Sequence, residues 1–188
     1  MALVERLKGI VLEPKNEWPK IAAETATVQS IYVSWVMIFA AIGPLALILI
    51  GGAGGGVKFA IGTYIMSLVI TFMLALVIDA LAPTFGGTRD FIAALKLAAY
   101  SYTISWIAGV FNLVGMLGVV VALLATIYAW YTFFLGAPVL KKCTPEKAIP
   151  FTIVIVLCAI GFGFLFTLAL GGLGFVPHVG SVAMVSPR

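Results

Sequence analysis

The chain has 188 residues, of which 63% are hydrophobic and only 18 are charged, 11 basic and 7 acidic. Soluble domains are about 45–50% apolar and about 25% charged, so this composition excludes an ordinary soluble enzyme. Disorder is excluded as well, because disordered chains are poor in apolar residues and rich in charge.

The first 27 residues are the most polar part of the chain. Leu3, Val4, Leu7, Ile10 and Val11 recur at helical spacing, with Glu5, Arg6 and Lys8 off that stripe. The pattern predicts an amphipathic helix of about three turns, ended by Pro14. Trp18, followed by Pro19, fits an interfacial anchor. Two readings stay open for this arm: it lies on the membrane surface or receives a partner, or it packs against the bundle's own helix ends. No apolar core follows a short basic start, so no cleavable signal peptide is expected.

Crossing about 30 Å of hydrocarbon takes about 20 apolar residues. Five runs qualify, at residues 28–50, 58–82, 90–110, 114–140 and 150–172. The first stops at the glycine cluster Gly51–Gly56, whose plain reading is a turn. The second stops at Pro83 and Gly86-Gly87. Thr88 is the expected N-cap of the third. The short connector Asn112–Leu113 predicts a tight hairpin between the third and fourth. Gly136 and Pro138 predict that the fourth kinks or ends there. Pro150 is expected as the first-turn proline of the fifth. The chain therefore divides into a segment at 1–27, a transmembrane bundle at 28–172 and a tail at 173–188. The fold class is all-α, a five-helix integral membrane protein preceded by an amphipathic helix.

Basic residues in the loops set orientation. Arg6, Lys8, Lys15, Lys20, Arg89, Lys96, Lys141, Lys142 and Lys147 fall on one side of a five-span arrangement, and Lys58 and Arg188 on the other. This bias places the N-terminus in the cytoplasm and the C-terminus outside, in the cytoplasmic (inner or plasma) membrane. The net charge of +4 is then a matter of placement, and nucleic acid is not an expected partner. The expected partners are the bilayer and its anionic headgroups on the cytoplasmic side. A protein partner at that face or a second copy of the chain is also compatible. Leu3, Leu7, Trp18, Lys141, Lys142 and Lys147 are the candidate contacts, each basic residue near anionic lipid contributing about 1 kcal/mol.

Two charges fall inside the spans, Asp79 and Lys96. Such charges are paired or functional. Pairing of the two or snorkelling of Lys96, a polar site or proton relay, and two groups that never meet are the alternatives. Tyr100, Ser101 and, from the fourth span, Tyr128 would extend a polar site. Ser101, Ser105 and Gly109 recur every fourth position, a spacing that lets helices approach closely. The third span is accordingly expected at the centre of the bundle. Tyr128 and Tyr131 share a helix face, and Trp130 reads as a belt residue.

Chemistry is sparse. His178 is the one histidine, and no metal-binding spacing is present. No catalytic residue, metal or cofactor is expected. Cys143 and Cys158 would lie about 22 Å apart on one helix, too far for a disulfide, and read as free thiols.

The stretch from Tyr128 to Ala148 carries Tyr128-x-x-Tyr131, then Gly136-x-Pro138, and ends in Pro145-Glu-Lys147-Ala148 before the last span. It resembles the prokaryotic branch of the Yip family, membrane proteins first named for interaction with Ypt/Rab GTPases. The lead-in Leu7 to Trp18, with Pro14, and the pairs Phe85-Gly86-Gly87 and Ala98-Ala99-Tyr100-Ser101 are similar to the family's early and middle sections. Ile104 stands where relatives often carry proline, and Phe151 where many carry tyrosine. The charged, proline-rich cytosolic motif of the GTPase-binding branch is not evident. The resemblance implies five helices with the N-terminus inside, and no established activity. The leading functional reading is a non-enzymatic protein that organises membrane or scaffolds a partner. Its rival is a small oligomeric channel or transporter using Asp79, Lys96, Tyr100, Ser101 and Tyr128.

Overall fold

The computed structural model describes residues 3–51 and 57–172. The glycine turn beyond Gly51, His178 and the tail at 173–188 lie outside the described residues. The described chain is helical, with five helices long and apolar enough to span a membrane.

Two short helices come first, α1 (Leu3–Leu12) and α2 (Pro14–Ala23). Pro14 is therefore a start as well as a stop. Its missing N–H costs nothing in a first turn, and its fixed φ suits one. The first span, α3 (Val28–Leu49), opens with Thr27 and Ser30 exchanging bonds of 3.1 and 2.9 Å in a capping box. It carries a π-helical turn at Tyr32–Val36 and a break at Ala41. Pro44, three residues on, has no N–H and crowds the carbonyl one turn back, which accounts for the break.

The second span, α4 (Val57–Leu81), continues as a 3-10 turn over Ala82–Phe85 and closes at Gly86, whose φ of 76° suits glycine. The third, α5 (Phe91–Ala108), is capped by Asp90, which accepts the Ala93 N–H at 2.9 Å. Thr88 does not cap it. Its N–H donates to the Lys141 carbonyl at 2.8 Å, tying the loop to the fourth span. The fourth span, α6 (Met116–Lys141), runs through Gly136 and Pro138 without ending there. The fifth, α7 (Pro145–Gly172), starts at Pro145, so Pro150 sits inside it. The fifth helix thus outruns its apolar stretch by more than a turn, because a helix does not have to begin at the hydrocarbon boundary.

The third span is central. Residues Ala93–Ala99 are all buried, between α4, α6 and the arm. Gly109 lies at its far end, where an added Cβ would come within 2.7 Å of the Gly43 Cα. The close approach expected of Gly109 is thus made with α3. By contrast α7 is peripheral. Ile149, Ile153, Leu157, Ile160, Phe164, Leu165 and Leu168 face outward along its length. A helix apolar on all sides, with an unpartnered aliphatic face, belongs against lipid.

Candidate functional site: the polar end of the bundle

The arm, the loop between α4 and α5, and the end of α6 meet at one end of the bundle. Two polar clusters organise it. In the first, Lys141 is fully buried, and its Nζ donates to Asp79 Oδ1 at 2.7 Å and to the Asp90 carbonyl at 2.9 Å. The same Asp79 oxygen accepts the Asp90 N–H at 2.7 Å. One carboxylate therefore holds the end of α4, the start of α5 and the end of α6 together. Lys141 is a structural cation and does not reach lipid headgroups.

The second cluster fixes the arm. Arg6, also buried, donates from Nη1 to Glu17 at 2.7 Å and from Nη2 to Glu24. Lys20 holds the other Glu17 oxygen at 3.0 Å. Although Arg6 lies off the apolar stripe of α1, it is buried against α2, where Glu17 and the C-cap residue Glu24 supply two carboxylates. Lys96 Nζ donates to the Ile21 carbonyl at 2.8 Å and to the Glu24 carbonyl. A cation over the last carbonyls of a helix satisfies acceptors left without an intrahelical donor and opposes the helix dipole.

Of the alternatives open for Asp79 and Lys96, the structure shows two groups that do not meet. Asp79 lies level with Asp90, and Lys96 is six residues further up α5, about 9 Å along the axis. The 3-10 turn and loop between the helices set that offset.

The reading of Trp18 is corrected. It is 1% exposed, and its Nε1 donates to the Thr132 carbonyl at 3.0 Å. A Cβ on Gly136 would fall 2.6 Å from the Trp18 ring and 2.7 Å from Leu97. Gly136 is the notch that admits the indole, and Trp18 keys the arm to α6. Tyr128 donates to the Val11 carbonyl at 2.7 Å. Leu7 packs against the core, while Leu3, Val4 and Leu12 are exposed. The apolar stripe of α1 is split between bundle and surroundings. Lys142 and Lys147 are exposed.

This keyed architecture has a counterpart among known sequences: the Yip1 domain model matches residues 8–177. The chain belongs to the Yip1 domain family. Among curated proteins and solved structures nothing matches it. The Yip1 match covers α2 and all five spans, so Trp18, Gly136, Asp79 and Lys141 all lie within it.

The remaining Yip1 candidates are packing residues. Trp35, inside the π turn, donates to Thr103 at 2.8 Å and meets Tyr100 edge-on at 4.8 Å between ring centroids. Trp130 was read as a belt residue, but it packs edge-on against Tyr102 at 5.5 Å, beside the core. The Ser101 and Ser105 hydroxyls are buried without a partner among the described residues. Cys143 is buried beside Lys141, and burial pushes its thiol pKa up. Among the described residues, no three His, Cys, Asp or Glu side chains converge as a metal site. The roles of Arg6, Glu17 and Glu24 were missed by sequence reasoning. The available signal was the pairing of one arginine with two glutamates across Pro14.

Proposed function

We propose that this Yip1 domain protein is non-enzymatic and organises membrane, or holds a partner, through the end of the bundle that carries α1 and α2. In this reading it belongs to the prokaryotic branch, sits in the cytoplasmic membrane, and keeps its N-terminus inside and its C-terminus outside. The nine basic residues at that end support the orientation.

The observation that carries the proposal is the two-sidedness of the arm. One face is keyed to the bundle through Trp18, Arg6 and Tyr128. The other exposes Val4, Lys8 and Leu12 along one line of α1. A rigid apolar and basic strip suits a membrane surface or a partner helix. The transport reading has less support, because Asp79, Lys96 and Tyr128 are occupied by bonds that hold helices together.

Photo-crosslinkers at Val4 and Leu12 test the proposal. Adducts to lipid or to a defined protein are expected, with altered membrane organisation when residues 1–12 are removed. No adduct, with membrane organisation unchanged by the truncation, would defeat it. A solute flux in reconstituted vesicles that wild type carries and Asp79→Asn loses would favour transport instead.

A further inference from the structure

A cleft of about 430 Å³ opens at the polar end, between the end of α2, the first turns of α5 and the last turn of α6. Its charged lining is Glu24, Asp90, Lys96 and Lys142. The structural network described above leaves part of each of these groups uncommitted.

Lys96 is 5% exposed, yet its hydrogen-bond partners are two neutral carbonyls. No carboxylate among the described residues lies within 4.0 Å of its ammonium group. A buried cation is stable when it is paired as well as hydrogen-bonded. Lys142 stands at φ 55°, in the left-handed region that ordinarily takes glycine after a helix end. Residues held there against their preference concentrate at ligand clamps. On the acidic side, Asp90 uses Oδ1 to cap α5, and Glu24 uses Oε1 to hold Arg6. Each retains a second oxygen.

We propose that this cleft binds a zwitterionic phosphate–ammonium group of the phosphoethanolamine type, with phosphate at Lys96 and Lys142 and ammonium at Asp90 and Glu24. A simple anion would meet two carboxylates, and a simple amine would meet two lysines. A group with both charges a few ångströms apart satisfies all four. Thr25 adds a hydroxyl to the lining. The assignment needs neither the scaffold role nor the orientation proposed above.

The test uses the full-length chain in detergent micelles, titrated with short-chain phosphatidylethanolamine, phosphatidylglycerol and soluble phosphoethanolamine, read by thermal shift. Phosphatidylethanolamine should give a saturable rise in Tm at about tenfold lower concentration than phosphatidylglycerol, the scale of one lost charge-assisted bond. Lys142→Gly should fold at least as well as wild type, because glycine adopts the local φ freely. It should nevertheless need about tenfold more phosphatidylethanolamine. Competition by soluble phosphoethanolamine would support recognition of the group itself. Binding as tight as the lipid's would make the soluble ester the natural source of that group. Equal response to both lipids, or a Lys142→Gly variant that binds like wild type, would overturn the proposal.

Discussion

The polar end and the far outer face of this bundle are stabilised by opposite means. At the polar end, Trp18, Lys141, Arg6 and Leu97 are almost without exposure, and the three polar side chains among them each donate to a named partner. Along α7, seven large aliphatic and aromatic side chains face outward over nearly six turns. In water that face would be a liability. In lipid it costs nothing, since hydrocarbon is as apolar as leucine. The comparison teaches that burial of apolar area does not drive this fold. Specificity lies where polar groups must find partners and where shapes must interlock.

Mutations sharpen the contrast, and the largest effect is expected at the key. Trp18→Ala should cost about 3–5 kcal/mol, the range for a large buried aromatic. The loss should appear in unfolding from micelles, and protease cleavage between α2 and α3 should accelerate. Lys141→Met comes next, at about 3 kcal/mol. That is the low end for breaking a buried pair, because Asp79 keeps 21% of its side chain exposed. The double variant Lys141→Met/Asp79→Leu should recover only part of that loss in the same unfolding measurement, since both side chains also bond the Asp90 backbone. Full recovery would show that those backbone bonds contribute little. Gly136→Ala fills the notch and should cost about 1–3 kcal/mol by overpacking. Its effect should be strongly non-additive with Trp18→Ala, as for residues in contact. At the bottom of the scale, Leu157→Ala on the outer face of α7 should change stability by less than about 0.5 kcal/mol. A large loss there would mean that this face is covered by protein rather than lipid.

Cys143 provides a chemical readout of the same comparison. Burial first, partly opposed by a backbone hydrogen bond and by nearby Lys141, raises its thiol pKa. The thiolate is the reactive form. Maleimide labelling in the folded state should therefore be slow at neutral pH, and rise with pH only above the usual thiol range. Trp18→Ala should accelerate it by loosening the end of α6, as mass spectrometry of the modified chain can check.

Much of the architecture was legible beforehand. Five spans, an amphipathic first helix and a central third span all follow from runs of apolar residues and from small or polar residues within one run. Span limits were less legible. Pro145 and the 3-10 turn after Leu81 extend helices past the hydrocarbon, where composition no longer reports on conformation. Caps were ambiguous for a similar reason. Thr88 and Asp90 are both good N-caps, and only the loop's tie to Lys141 selects Asp90.

The polar site itself was half legible. Sequence marked Asp79, Lys96 and Tyr128 as polar groups needing an explanation inside a span, and Trp18 and Lys141 as contacts at the membrane surface. It did not assign their partners. Those depend on axial offsets of about two turns between helices, and one-dimensional spacing fixes rotation along a helix but not the height of one helix against the next. What the sequence alone determined is the solvent this protein folds in, its number of crossings and the charge asymmetry between their ends. What only the tertiary structure decided is which cation meets which carboxylate, and that Gly136 is a seat for Trp18. Such pairings are set by contacts between elements far apart in the chain, where no local periodicity carries information.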